Sequence, residues 1–302
     1  MKSRLLRDDQ DWKLVRELLV ETYPITPLDF NWDVRRWDGW RWYQNDDSWR
    51  EEKHGLARIW LKSNRVVAAV HREGSRDAHL QLHPDHLNLE EEMIAWAEKT
   101  LPGRSAEGEL ELLIFVYDED QHRYKLLESR GYEKLTVSGY HRRAKLGELK
   151  IPDTGLPEGY VLQDTSEYRW QDGQKLANLL NTAFKRDIHN AEEYEVFRAK
   201  APSFRAHLDL LALSPDATWA SYVGLPYDSK NKRGVFEPVC THPDHSGKGI
   251  AKALMLEGLR RLKALGGEHV SVGTGDQVAA NRLYRSLGFS EERRGFYWRK
   301  RL

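Results

Sequence analysis

The chain repeats itself. His83-Pro84-Asp85-His86 returns as His242-Pro243-Asp244-His245, and Leu126-Leu127-Glu128-Ser129-Arg130-Gly131-Tyr132 is echoed by Leu283-Tyr284-Arg285-Ser286-Leu287-Gly288-Phe289. The two matches lie at nearly one offset, 159 and 157 residues. Two short matches at a common offset mark a duplicated domain, and a chain of 302 residues has room for two. Whatever architecture one half adopts, the other is then expected to adopt as well. The segment 151–159, with two Pro and two Gly, reads as the linker, so domains are expected at 1–150 and 151–302.

The order of elements repeats too. Each copy opens with a short strand and a helix, 4–6 then 12–22, and 160–163 then 171–184. Strand-like runs follow at 57–61, 66–71 and 78–82, matched by 208–213, 218–223 and 235–241. A helix follows each His-Pro-Asp-His, at 89–101 and 248–265. In the second, Ile250, Ala253, Leu254, Leu256, Leu259, Leu262 and Leu265 recur at helical spacing. A buried strand (110–116; 270–272), a helix (119–129; 278–286) and a last strand complete each copy.

Composition excludes several classes. Lys plus Arg and Asp plus Glu are equal at 47 each, so a dedicated nucleic-acid scaffold, which needs a basic excess, is not expected. No apolar run reaches the roughly 18–20 residues of a membrane span, and the N-terminus lacks the apolar stretch of a signal peptide. A single cysteine, Cys240, excludes an internal disulfide and fits a reducing compartment. The expectation is a cytoplasmic protein with neither nucleic-acid nor membrane partner. The twelve histidines form no His-Glu-x-x-His cluster, so no metal site is expected.

In the second copy a strand ends at Cys240-Thr241, turns through His242–His245, and meets Ser246-Gly247-Lys248-Gly249-Ile250-Ala251 where a helix begins. A glycine loop between strand and helix offers backbone N–H groups to an anion, and the helix dipole favours its charge. A dinucleotide loop is excluded because Gly-x-Gly-x-x-Gly is absent. A nucleotide-triphosphate loop is excluded because no Gly-Lys-Ser/Thr closes the run. By itself the loop is equally a tight turn.

The whole succession is more specific: a strand, His-Pro-Asp, the glycine loop, a long helix, a strand, then Ala279-Ala280-Asn281-Arg282-Leu283-Tyr284-Arg285-Ser286-Leu287-Gly288-Phe289. It resembles the GNAT superfamily of acetyl-CoA-dependent N-acetyltransferases, strongly over 234–290, by element order over 158–233, and as a weaker second copy over 1–145. The resemblance implies an α/β fold of the α+β kind: two tandem GNAT-like domains, each a mixed, mostly antiparallel central sheet flanked by helices. It implies acetyl-CoA as co-substrate and transfer of acetyl to a primary amine by direct attack in a ternary complex. The acceptor is expected to be a small molecule ahead of a protein. The competing reading is a non-catalytic acyl-CoA-binding regulatory protein of the same fold.

Site roles follow from that resemblance. The family loop reads Arg/Gln-x-x-Gly-x-Gly/Ala; here Gly249 and Ala251 fit and Ser246 replaces the Arg or Gln. The pyrophosphate would lie on the amides of Ser246, Gly247, Lys248, Gly249, Ile250 and Ala251, and the pantetheine arm along Val239, Cys240 and Thr241. Amides near Val239 and Cys240 would hold the thioester oxygen. Gln277, where the family carries Asn, and Asn281 join the coenzyme site. Tyr284 would protonate the leaving thiolate, its other reading being a core aromatic. Glu237 is the candidate base, expected on the same strand face as Val239 and Thr241, and is equally readable as a solvated carboxylate. His242 and His245 read as caps or surface residues ahead of proton relays. Cys240 as a covalent nucleophile is disfavoured, since no His is fixed beside it by motif.

The first copy continues His86-Leu87-Asn88-Leu89-Glu90-Glu91-Glu92, with three carboxylates and no glycine loop, so coenzyme binding is not expected there. It reads as a degenerate scaffold walling the acceptor cleft. Six of eleven tryptophans (Trp12, Trp32, Trp37, Trp40, Trp42, Trp49) interleave with Asp29, Asp33, Asp38, Asp46 and Asp47 near the N-terminus. They read as core ahead of an aromatic, acidic surface for a cationic amine.

Overall fold

Packing divides the chain into two units, and neither is continuous in sequence. The computed structural model describes residues 1–26, 30–43, 55–167 and 172–302. The first unit comprises Met1–Trp37, Asp46–Tyr140 and Arg293–Leu302; the second comprises Asp38–Asn45 and His141–Glu292. Relative to the division at the linker, the last ten residues lie with the first unit, and residues 141–150 lie with the second.

The first unit is built on strands β1 (Lys2–Leu5), β2 (Ala57–Lys62), β3 (Arg65–His71), β4 (Asp77–Leu82), β5 (Gly103–Arg104), β6 (Leu110–Tyr117) and the start of β7 (Glu133–Lys145). Neighbours from β1 to β4 are antiparallel, and β4 meets β6 in parallel through Asp77↔Leu113 and Ala78↔Ile114. Helices α1 (Asp9–Thr22), α2 (Val34–Trp42, which runs on into the second unit), α3 (Glu90–Thr100) and α4 (Gln121–Ser129) accompany them. Asp8 caps α1 by accepting from the Asp11 amide at 3.0 Å.

The second unit has an antiparallel sheet of β8 (Val161–Asp164), β9 (Leu210–Leu213), β10 (Trp219–Val223) and β13 (Val239–Thr241). Beside it β11 (Tyr227–Asp228) pairs with β12 (Arg233–Phe236), and β12 runs parallel to β14 (His269–Thr274). Helices α5 (Asp172–Phe184), α6 (Ala191–Lys200), α7 (Ile250–Ala264) and α8 (Val278–Ser286) complete it. On α7, Ile250, Leu254, Met255, Leu256, Leu259 and Leu262 enter a core shared with Phe236, Val270, Tyr284 and Phe289.

The chain's last strand, β15 (Glu291–Arg301), lies between β6 and β7, and pairs antiparallel with β6 from Gly295↔Tyr117 to Arg301↔Glu111. Its apolar face carries Phe296 and Trp298 into the first unit's core, beside Leu112, Ile114 and Tyr124. Basic residues along the strand find carboxylates: Arg294 with Asp118, Lys300 with Glu98, Arg301 with Glu109. The C-terminal strand is thus an interior strand of the first unit.

The tryptophan-rich segment is core. Trp12 and Trp37 stack at 6.5 Å, each donating its indole N–H to the other's backbone carbonyl, at 3.4 and 3.1 Å. Trp32, Trp40 and Trp42 are buried. Asp33 caps α2 by accepting from the Arg36 amide at 2.9 Å. Asp38 is buried and accepts from the Ser203 amide and hydroxyl at 3.1 and 2.6 Å, both within the second unit. Asp29, Asp46, Asp47 and Trp49 lie outside the described residues.

Because Trp298 is 2% exposed in the first unit's core, Trp298→Ala is expected to cost about 3–5 kcal/mol. Deleting 293–302 should leave that unit unable to complete its sheet. Urea denaturation followed by circular dichroism checks both; a truncated chain with wild-type midpoint would show β15 to be dispensable.

Candidate active site

The stretch expected as one strand, 235–241, is two. Residues 233–236 form β12 and pair with β14; after Glu237–Pro238, residues 239–241 form β13 and pair with β10 alone. Pro238 has no N–H to continue a ladder. On the other side the chain keeps one antiparallel neighbour throughout: Gly224 N donates to Pro238 O at 3.0 Å and Glu237 N to Gly224 O at 2.9 Å. The approach is so close that a Cβ on Gly224 would lie 2.8 Å from the Glu237 carbonyl oxygen. The result is a strand with one edge paired and the other edge, from Val239 on, without a strand beside it among the described residues.

Alternation says which groups face that edge. His242 N donates to Ala220 O at 2.8 Å, and Gly224 N to Pro238 O, so the hydrogen-bonded pairs are 220/242, 222/240 and 224/238. Cys240's own N–H and C=O are therefore directed at β10. Those of Val239 and Thr241 face the open edge. The Cys240 side chain lies on one face of the sheet, in a cluster with Leu176, Leu180, Tyr194 and Tyr222. Burial pushes its thiol up to about 12, which keeps it a protonated hydrophobe.

The loop follows at once. His242 Nδ1 accepts from the Asp244 amide at 3.3 Å, a short 3₁₀ turn spans Pro243–His245, and Ser246 leads into the glycines. Gly247 and Gly249 hold φ of 77° and 79°, the left-handed region in which a side chain is strained. Space around both is open to 4 Å. Gly249 stands at the N-cap of α7 with no side chain capping the helix, and the first turn has no acidic residue. The amide donors there are left for a ligand or solvent.

On α8, Tyr284 is 5% exposed. Burial raises its phenol to about 12, the negative charge of Glu237 adds to that, and Arg142 opposes it. Tyr284 therefore feels the charge of Glu237. Glu237 is exposed at the strand break. Asn281 donates from Nδ2 to the carbonyls of Gly275 and Gln277 at 3.0 and 2.9 Å, which fixes its rotamer. Its Oδ1 is buried and accepts no hydrogen bond from any of the described residues. Gln277 is exposed, its Oε1 accepting from Thr274 Oγ1 at 3.1 Å.

An open strand edge, a glycine loop at a helix start and a buried tyrosine are thus gathered in one unit. The profile of the Acetyltransferase (GNAT) family matches residues 174–289. The chain carries a GNAT domain. Solved structures extend the likeness to the whole chain. A tandem GNAT protein from the clavulanic acid biosynthesis pathway has a TM-score of 0.68 at 16% identity, over 99% of this chain and 98% of that one. A GCN5-related N-acetyltransferase from Sphaerobacter thermophilus has a TM-score of 0.66 at 18% identity, over 99% and 95%. A GNAT-family acetyltransferase from Colwellia psychrerythraea has 0.62 at 12% identity, over 99% and 100%. At these identities the likeness is one of fold: a tandem GNAT fold, α/β with a mostly antiparallel mixed sheet. A search of curated protein sequences finds no significant match. No helix among the described residues is long and apolar enough to cross a membrane.

The equivalent of the GNAT loop in the first unit is closed. His83 Nδ1 caps the Asp85 amide at 3.1 Å as His242 does in its copy, but α3 then begins with Glu90, Glu91 and Glu92. Glu90 is 1% exposed, ion-paired to the buried Arg123, with His122 Nε2 at 3.3 Å. A buried carboxylate stands where the second copy presents bare amides, and it repels an anion.

Two polar clusters have no motif and escape sequence reasoning. In the first unit Glu73, Asp77 and His79 gather closely enough to suggest a metal. Yet Trp32 Nε1 donates to His79 Nδ1 at 3.3 Å, His79 Nε2 meets Asp77 at 3.1 Å, and Arg36 pairs with Glu73. Both ring nitrogens are engaged within the protein, and a guanidinium already pairs with Glu73. In the GNAT domain, Asp209 is buried and accepts hydroxyls from Tyr222 at 2.5 Å, Thr165 at 3.0 Å, and Tyr194. Desolvation outweighs these bonds and raises its carboxyl to about 6.

That shift has a sign. A carboxyl raised from 3.8 to about 6 holds its proton more tightly folded than unfolded, so it supports the fold at acid pH and withdraws support as pH rises between about 4 and 6. Asp209→Asn should remove that component. Unfolding free energies of both proteins across pH 4–7 check it; parallel curves would show that Asp209 does not titrate in that window.

Proposed function

We propose that this protein transfers the acetyl group of acetyl-CoA to a primary amine of a small molecule, by direct attack in a ternary complex. Catalysis belongs to the C-terminal copy, nominally 151–302, while the N-terminal copy, 1–150, is a degenerate scaffold, and the protein acts in the cytoplasm. The observation that carries this reading is the open edge of β13 running straight into an uncapped glycine loop. A linear arm with an anionic end fits such a groove. The orphaned Asn281 Oδ1 is a further test of fit: a buried acceptor without a donor costs about 1–3 kcal/mol unless a ligand supplies one, and the pantetheine arm carries amide N–H groups.

In this reading the amides of Ser246, Gly247, Lys248, Gly249, Ile250 and Ala251 receive the pyrophosphate on the N-terminal dipole of α7. Val239 and Thr241, whose polar groups face the open edge, pair with the pantetheine amides, and Cys240 serves by holding β13 to β10. The Val239 N–H is aimed where the thioester oxygen gathers charge. Asn281 accepts from the arm and Gln277 lies at its rim. Glu237, exposed beside the strand break, takes the proton of the incoming ammonium through solvent or directly. Tyr284 delivers a proton to the departing sulfur. With its phenol near 12, Tyr284 remains a loaded donor at every physiological pH.

Tyr284→Phe is expected to lower kcat by about 10²-fold or more while the KM for acetyl-CoA stays near wild type. The wild-type rate should not decline from loss of the donor up to pH 10. Glu237→Gln should lower kcat/KM for the amine most at acid pH, where free amine is scarce. Thiol release with an amine panel, and mass spectrometry of the products, measures these. Should wild type bind acetyl-CoA while no amine gives turnover above Tyr284→Phe, the protein is a non-catalytic acyl-CoA binder.

A further inference from the structure

The loop lacks the Arg or Gln side chain expected at Ser246, whose hydroxyl instead reaches back to the His242 carbonyl at 3.4 Å. A different set of side chains stands over it. Lys248 Nζ donates to the Tyr160 hydroxyl oxygen at 3.1 Å, and Tyr160 Oη lies 2.8 Å from His245 Nδ1. An ammonium has donors only, so Tyr160 accepts from Lys248 and keeps its own proton to donate, which His245 Nδ1 accepts in the tautomer that carries its N–H at Nε2. The Tyr160 and His245 rings meet edge to face at 5.7 Å, and the Lys248 ammonium lies 5.8 Å from the Tyr160 ring centre. One phenol thereby fixes a cation and an imidazole N–H donor at the mouth of the loop.

The duplication supplies an internal control. The first histidine of each motif does the same work in both copies, capping the amide two residues on. The second differs. Stepping back one repeat of 159 residues from Lys248 gives Leu89, and from Tyr160 gives Met1, so His86 has neither companion. The three-residue set exists only in the copy that keeps the glycine loop, and Tyr160 comes from outside the loop, at the end of the linker. A merely structural role would not track the loop in this way.

We propose that Tyr160, His245 and Lys248 form a phosphate-recognition group that takes over the role left open at Ser246 and makes the site selective for the nucleotide end of coenzyme A over the bare pantetheine arm. The inference rests on the coenzyme reading above and adds which residues enforce it. Lys248 contributes charge and His245 a directed N–H, while Tyr160 is a positioning residue that holds both.

Calorimetric titration of the full chain with coenzyme A and with pantetheine, for wild type, Tyr160→Phe, His245→Ala and Lys248→Ala, tests it. Tyr160→Phe and His245→Ala should each weaken coenzyme A about tenfold and Lys248→Ala more, with pantetheine binding unchanged. The salt dependence of coenzyme A affinity should flatten in Lys248→Ala. Melting curves confirm folding of these surface variants, and Tyr160→His, which keeps a polar hydrogen-bonding ring, should recover part of the loss. Equal losses for both ligands, or none for coenzyme A, overturn the inference while leaving the coenzyme site in place. A wild type that binds coenzyme A no better than pantetheine removes the coenzyme reading and this inference together.

Discussion

The site depends on one exchange of backbone partners. Between Phe236 and Val239 the chain leaves β14 on one side while keeping its antiparallel neighbour, residues 222–227, on the other. A strand released on one edge only stays rigid, because the second ladder still holds it. At the same time it exposes the N–H and C=O groups of alternate residues in fixed directions. The loop amides, the α8 tyrosine and the exposed Glu237 acquire meaning from that edge: each lies on the same unit, next to polar backbone that the sheet does not satisfy. Gly224 is the local requirement, since a side chain there would collide with the Glu237 carbonyl.

Much of this was legible in the sequence because it is local. The duplicated motif gave the architecture, α8 was read at 278–286 as found, and the glycine loop was placed at a helix start. Local periodicity cannot report a change of partners, so 235–241 was read as one strand although Pro238 sits in its middle. Nor can it say which edge an amide faces; that follows only from the register of β13 on β10, and it turns the Cys240 backbone inward. The Asp209 cluster is assembled from Thr165, Tyr194 and Tyr222, which are far apart in sequence and carry no pattern. Tyr160, which reads as the first residue of the strand after the linker, gives no signal of its contact with Lys248.

The two copies diverge most at one place, the first turn after the His-Pro-Asp-His motif. In one, Glu90 and Arg123 bury an ion pair there; in the other, glycines with positive φ leave the helix start bare. The first histidine makes the same cap in both, so the turn has been kept while the residues after it changed from an acidic run to glycines. Burying a pair such as Glu90–Arg123 adds little net stability, but it closes the helix end without a ligand.

The C-terminal strand sets the order in which the molecule can be completed. β15 pairs with β6 and brings Trp298 to the core of the first unit, yet it is synthesised after every other strand of that unit and after the whole of the second. The segments of the first unit made early must wait with an unfilled strand position and an exposed apolar face until the second unit and β15 have been synthesised. Such a chain cannot fold strictly one domain after another during translation. It ties completion of the first unit to the synthesis of the second, and loss of residues 293–302 would strip an inner strand from the unit that holds residues 1–37.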